Sequence, residues 1–405
     1  MSNLASTSRV QMRYIKEATF GVTPLTGNPR NLRMTGESLN FDLTKEESKE
    51  VRGDRQMGGS ATVGATSGGD VNIHMQYGEY DPLFEGLMMN PFSVFGVNGE
   101  GAAFAAAYAA GSITAAVATT GASLFTLLQP GQYFRIAHPG NANNGKVFKN
   151  SLTVAPTSTV ITLDATTPAI VVASTAGATL QTSRLTNGVT ESSFTFEMQA
   201  ADVGQFLAFR GQYVSKFNLK FASGALLDGG FTLLGKDGGM TAVTTLPGTP
   251  IASRPFDIQS CVVGTGFVVE GGTRLTNTFI KSMDFNFDNA LRTQDAVFNL
   301  GAVGIGLGTI KVSGSIMLYF RDQVMYNKFR NDVYTALEIP CQDSAGNGYV
   351  ISMPRVQLAG AKLVASGKDQ DFMLDCQYTA YADDANANPL LRQTVFIDRL
   401  GVALT

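Results

Sequence analysis

The 405-residue sequence contains no tryptophan, two histidines (His74 and His138) and three cysteines (Cys261, Cys341 and Cys376). Two distant histidines and three cysteines without a CxxC pair exclude a zinc site built from local ligand pairs. An odd, unpatterned set of cysteines reads as reduced, buried thiols of a chain made in a cytosol. Histidine-dependent nucleophilic catalysis would rest on His74, on the polar phase of a strand, or on His138, just before the turn Pro139-Gly140; neither lies near a serine or cysteine motif. There is no GxSxG, no GxxxxGK[ST] (Gly235-Lys236 runs into Asp237) and no Asp-x-Asp-x-Asp-Gly calcium loop. Charged residues are scarce at 16%, against ~25% in an average globular chain. With 44% hydrophobic residues, that scarcity excludes global disorder, which needs the opposite combination. The formal charge of −3 argues against a protein that grips nucleic acid through its phosphates. The most apolar run, 102–128, is alanine diluted by Gly, Ser and Thr and is too weak for a membrane span; no basic and apolar leader opens the chain, so a soluble protein is expected. No cofactor or metal ligand set emerges.

What is abundant is glycine, 44 residues, which favours tight turns, and period-two alternation, which marks strands with one buried face. Val71, Ile73, Met75 and Tyr77 alternate with polar residues, as do Phe194, Phe196 and Met198, and Phe372, Leu374, Cys376, Tyr378 and Ala380. Gly346-Asn347-Gly348 predicts a hairpin turn before a strand at 349–353. Three short helices are expected. Asp81-Pro82 reads as a cap followed by Pro at the first helical position. Asp202 reads as the cap of a helix carrying Val203, Phe206 and Leu207 and closed by Gly211. Asp322 reads as the cap of the longest one, with Met325, Phe329 and Val333 in one stripe. The fold class is therefore mainly β, with a few short flanking helices.

Two features concern organisation. Ser38-Leu39-Asn40-Phe41-Asp42-Leu43 echoes Ser282-Met283-Asp284-Phe285-Asn286-Phe287. Asp70, Val71, Met75 and Asp81 then line up with Lys311, Val312, Ile316 and Asp322. A duplicated strand–loop–strand–helix unit and two unrelated amphipathic strand pairs both fit this echo. Residues 101–184 differ in composition: Asp164 is the only acid, beside Arg135, Lys146, Lys149 and Arg184. Short strands at 132–137, 147–154 and 160–163, with a turn at Asn143-Asn144-Gly145, make an inserted small β-domain. The expected division is 1–110 with 186–405 as one discontinuous β-domain and 111–185 as the insertion, on the outer surface.

The candidate functional residues lie in 45–69, a polar loop with Glu46, Glu47, Glu50 and Asp54 interleaved with Lys45, Lys49, Arg52 and Arg55. A loop this long in a compact domain is functional or disordered. A solvated charged loop is the plain reading, and a contact arm for another subunit is the sharper one. The glycine clusters Gly264, Gly266, Gly271 and Gly301, Gly304, Gly306, Gly308 read as hairpin tips, since the second leads into a strand and not a phosphate-binding helix.

Several stretches together resemble one family. Glu17-Ala18-Thr19-Phe20-Gly21-Val22-Thr23-Pro24 and Leu32-Arg33-Met34-Thr35-Gly36-Glu37-Ser38-Leu39 look like the opening of bacteriophage tail tube (major tail) proteins. Ser48 through Gln56 resembles the family's polar loop and Gly69-Asp70-Val71 its next strand. Asn187-Gly188 with Ser193-Phe194-Thr195-Phe196-Glu197 looks like the family pattern resuming after an insertion, and Asp343 to Gly348-Tyr349 with Met353-Pro354-Arg355 fits its C-terminal part. The resemblance implies a tail-tube-type β-sandwich or half-barrel. It implies a virion structural protein, not an enzyme, that self-assembles into rings, commonly hexameric, stacked into a tube for DNA ejection. Implied partners are further copies of the chain and the tape measure, tail terminator and distal tail proteins. DNA would pass through the lumen without specific binding, and the location would be the virion tail, assembled in the host cytoplasm without membrane insertion. Glu46, Glu47, Glu50, Arg52, Asp54 and Arg55 would be a ring-to-ring or subunit contact loop. A tube inside a contractile tail and a capsid decoration protein are the alternatives. A carbohydrate-active enzyme is disfavoured by the missing tryptophan, which leaves no indole platform for sugars.

Overall fold

The computed structural model describes residues 4–115, 122–254, 258–262, 268–275, 279–365 and 367–402. The chain is mainly β, as the alternation predicts: among the described residues antiparallel strands form one 18-stranded network, a separate 6-stranded sheet and a two-stranded hairpin, with two short α-helices. Two strands of 18 residues, Gln205–Ala222 and Gly348–Ala365, run through the large network. Each is covered on both faces in its first half and alternates in or near its second half, where Phe217 and Leu219 point inward and Lys216 and Lys220 outward. The core gathers Tyr14, Phe84, Phe194, Phe196, Phe217, Phe231, Phe285 and Tyr349 with aliphatic residues from both long strands. Phe84 meets Phe217 edge to face at 5.1 Å and 83°, and Tyr14 stacks on Phe196 at 5.5 Å and 21°, both geometries that suit their quadrupoles.

The helix α1 spans Asp81–Met88 and packs on Gln205–Ala222; α2 spans Val324–Arg330 and packs on Gly348–Ala365. The sequence places both, with corrections. Asp81 is the first helical residue, not the cap, and its carboxylate takes the Arg399 guanidinium at 2.9 Å and the Tyr349 hydroxyl. Asp322 is not the cap either: the cap position is Gln323, and Asp322, one residue earlier, accepts the Val324 N–H at 3.0 Å. Moreover, α2 is one residue shorter than α1, because the chain turns left-handed at Asp332 (φ 54°) and leaves Val333 outside. The helix expected after Asp202 is absent. Residues 201–204 are the turn of a hairpin between Phe194–Ala200 and Gln205–Ala222, and the Asp202 carboxylate binds Arg9 at 2.7 Å. A four-residue apolar run such as 206–209 suits a strand flanked on both edges as well as a helix, and here the strand partners decide.

The 6-stranded sheet comprises Phe104–Ala109, Ser112–Ala115, Tyr133–Ala137, Val147–Lys149, Val160–Thr162 and Ala173–Gln181. It has its own core, in which Phe104, Phe125, Phe134, Ile136, Phe148 and Ile161 are buried. At Thr182 the chain passes into Ser183–Thr186, which belongs to the large network and pairs with Phe396–Leu400.

Candidate assembly surfaces

The segment expected as a loop at 45–69 is mostly strand. Asn40–Glu47 and Ser60–His74 pair in antiparallel register from Asn40 with Gly68 to Glu47 with Ser60, leaving residues 48–59 as the tip. The correction has a physical cause. Ladder hydrogen bonds need no apolar side chain, so Thr, Ser and Gly at 60–68 extend a ribbon into solvent although its composition reads as loop. Glu46 and Glu47 close the ribbon, and Glu50, Arg52, Asp54 and Arg55 lie in the tip.

The six charges are not equivalent. Arg52 clamps Asp54 through two bonds, Nε to Oδ1 at 3.1 Å and Nη2 to Oδ2 at 2.8 Å. That bond, followed by the Gln56 N–H, holds the Asp54 carboxyl below its ordinary range. Glu46 meets Lys49 at 3.4 Å. Glu47, Glu50 and Arg55 make no ion pair among the described residues. The tip also shows apolar groups that the charge pattern hides: Val51 is 102% exposed and Met57 72%.

A second hairpin, Arg292–Gln294 with Gly304–Gly306, projects its own tip, where Val297, Phe298 and Leu300 are exposed and Phe298 is held left-handed at φ 66°. Gly301, Gly304 and Gly306 of the second glycine cluster belong to this hairpin and its tip. At Gly301 a Cβ would sit 2.5 Å from the carbonyl oxygen of Lys236, the bend between strands Asp228–Gly235 and Asp237–Thr241, so only glycine lets the tip approach that bend. Gly264 and Gly266 lie outside the described residues.

Behind these projections the Glu17 motif acts as a lock. The buried Glu17 carboxylate accepts the Gly21 N–H (2.8 Å), the Gly211 N–H (2.9 Å) and the hydroxyls of Ser193 (2.6 Å) and Thr195 (2.7 Å). Gly21 and Gly211 both need positive φ, 69° and 68°, to turn their N–H groups onto it.

The two sheets meet across a buried polar seam. Arg184 donates to both Asp398 oxygens at 2.7 Å, with side chains 1% and 0% exposed. Lys149 reaches Glu338 at 2.6 Å, and the Tyr133 hydroxyl donates to the same carboxylate. Burial, reinforced by Glu338, pushes the Tyr133 phenol far above its ordinary range.

Neither histidine side chain bonds to a serine or cysteine side chain among the described residues. His74 pairs with Asp228 across two strands at 2.7 Å, and His138 is buried between the Tyr108 hydroxyl at 2.8 Å and the Ala176 carbonyl at 3.1 Å. A cleft of about 280 Å³ contains Cys261 and Cys341, but burial raises both thiols, away from the reactive thiolate. Among the described residues no three His, Cys, Asp or Glu side chains cluster as a metal site, and no helix is long and apolar enough to cross a membrane.

Compared with known families, residues 7–380 match the family described as phage tail tube protein. No curated protein matches the chain.

Proposed function

The chain belongs to the phage tail tube protein family and so to the virion tail, and from that premise we propose that it stacks as rings into the tube through which the genome leaves the particle. The family match, over nearly the whole chain, is the observation that carries this reading. The structure is compatible with it in three respects. Among the described residues strand edges stand open on the large network, and open edges are templates for joining copies. Two hairpin tips project from it with exposed charged and apolar groups. The buried carboxylates of Glu17 and Glu338 are each saturated by donors from neighbouring strands and loops, as packing requires. The mild net negative charge suits a lumen that does not retain phosphates. In this reading tape measure, terminator and distal tail proteins meet the tube at its ends. Negative-stain micrographs of the purified protein should show rings or tubes; a monodisperse monomer at every concentration would defeat the proposal.

In the same reading the small sheet is an inserted unit on the outer wall. Replacing 102–181 by a short linker removes all six strands of the small sheet, keeps Arg184 on Asp398 and strips Lys149 and Tyr133 from Glu338, leaving that carboxylate unpaired. The replacement is therefore best combined with Glu338→Gln. That variant should fold and form thinner tubes. A folded variant without rings would instead make the small sheet part of the assembly contact.

A further inference from the structure

The large network contains the same strand plan twice. In the first part the lateral order is Phe194–Ala200, Gln205–Ala222, Asp228–Gly235, Ser60–His74, Asn40–Glu47. In the second it is Thr335–Gln342, Gly348–Ala365, Phe372–Tyr381, Lys311–Tyr319, Ile280–Asp288. In each, the helix follows the fourth strand of this order in the chain and packs on the 18-residue strand.

The irregularities coincide too. The first long strand shifts register between Phe209 and Gln212 and again between Val214 and Lys216; the second does so between Met353 and Val356 and between Leu358 and Gly360. Carrying the pairings around each unit sets Asn40-Phe41-Asp42 on Asn286-Phe287-Asp288 and Gly69 on Gly314. This lies two and four residues, respectively, from the alignment suggested by the sequence echo. The close approaches agree with the new register. A Cβ at Gly69 would strike the Ser38 carbonyl oxygen at 2.3 Å, and one at Gly314 the equivalent Asp284 oxygen at 2.0 Å.

Among the described residues the two units are joined by one strand pair. Lys216 to Ala222 of the first long strand pair with Asp288 to Ser282, with Lys216 bonded to Asp288 at 3.0 Å and Leu219 fully buried beside Phe285. The matching edge of the second long strand, residues 360–365, carries no strand among the described residues. The outer edge of Asn40–Glu47, which matches Ile280–Asp288, carries none either. Leu363, the equivalent of Leu219, is 40% exposed.

We propose that edge 360–365 of one copy pairs with edge 37–42 of the next, repeating the internal junction between the units. The internal register sets Lys362 opposite Asn40 of the neighbouring copy, Leu363 opposite its Leu39, and Gly360 opposite its Asp42. The cation of the internal pair reappears at Lys362, diagonal to that Asp42 and on the same face, within reach of a long side chain. Two different edges on one chain make a head-to-tail contact, which closes as a ring when the rotation allows. This rests on the tube reading and deepens it: each chain fills two positions of the wall, so a six-position wall takes three chains.

The test uses the full-length protein in a Cys261→Ser background. Asn40→Cys with Lys362→Cys should give, on oxidation of assembled rings, a covalent ladder closing at three chains in a sixfold wall. Asn40→Cys with Leu363→Cys, one residue out of register and on the other face, should not cross-link. Lys362→Glu should lower the assembled fraction at least tenfold at low salt, and adding Asp42→Lys should restore it. Normal tubes with no Asn40–Lys362 cross-link, or equal cross-linking of both pairs, would overturn the pairing, and six linked chains in a sixfold ring would overturn the filling of two positions by each chain, in every case leaving the tube reading intact. A parent protein that never assembles would overturn both.

Discussion

Asp398→Asn is expected to destabilise the chain by about 3–5 kcal/mol, the cost of leaving a buried charge without its partner. Asp398 is 0% exposed, and its oxygens take two Arg184 bonds at 2.7 Å and the Tyr133 N–H at 3.0 Å. An asparagine amide would point a donor at donors there. Arg184 has no way to escape, since it also donates to the Pro130 and Gly131 carbonyls at 2.9 Å and lies 4.4 Å from the Phe396 ring centre. The melting temperature should fall by on the order of 10 °C. Replacing both partners by apolar residues, Arg184→Met with Asp398→Leu, should recover much of the loss, because the charge and its desolvation cost leave together. A single substitution costing under about 1 kcal/mol would show that water already reaches the seam.

Much of the β architecture was legible because alternation survives wherever a strand has one covered face, as at Val71, Ile73 and Phe372 to Ala380. It failed where that condition fails. Residues 206–209 are flanked by strands on both edges, so their run carries no period, and Asp202 imitated a cap. Along 60–68 both faces meet solvent for most of the length, so a ribbon looked like a loop. The charged tip was recognisable from composition. The division of its charges was not, because the Arg52–Asp54 clamp depends on how the tip folds back. The seam was invisible for a related reason: Arg184 and Asp398 are 214 residues apart, and only the pairing of Ser183–Thr186 with Phe396–Leu400 brings them together. The internal echo was visible, but its register required the paired strands.

Val51→Asp combined with Met57→Asp is expected to leave the subunit folded and to abolish stacking of rings. Both side chains stand almost wholly in solvent, so the isolated subunit loses no packing and its melt should not change. Burying each against a neighbouring ring would contribute about 1.5–3 kcal/mol per tip. An exposed ion pair contributes only ~0.2–1 kcal/mol. The apolar pair should therefore hold the contact while Glu47, Glu50 and Arg55 steer it. Arg52 and Asp54, already bonded to each other, contribute shape. In the proposed tube every subunit would repeat the contact, so loss of one modest term per tip would multiply through the stack. Salt separates the two contributions. Reversing Glu47, Glu50 and Arg55 should shorten tubes at ~0.05 M salt and matter little near 1 M, where the screening length is ~3 Å. The Val51 and Met57 changes should block stacking at both. Micrographs of tube length against salt decide it: normal tubes from the Val51→Asp, Met57→Asp protein would remove the tip from the contact between rings.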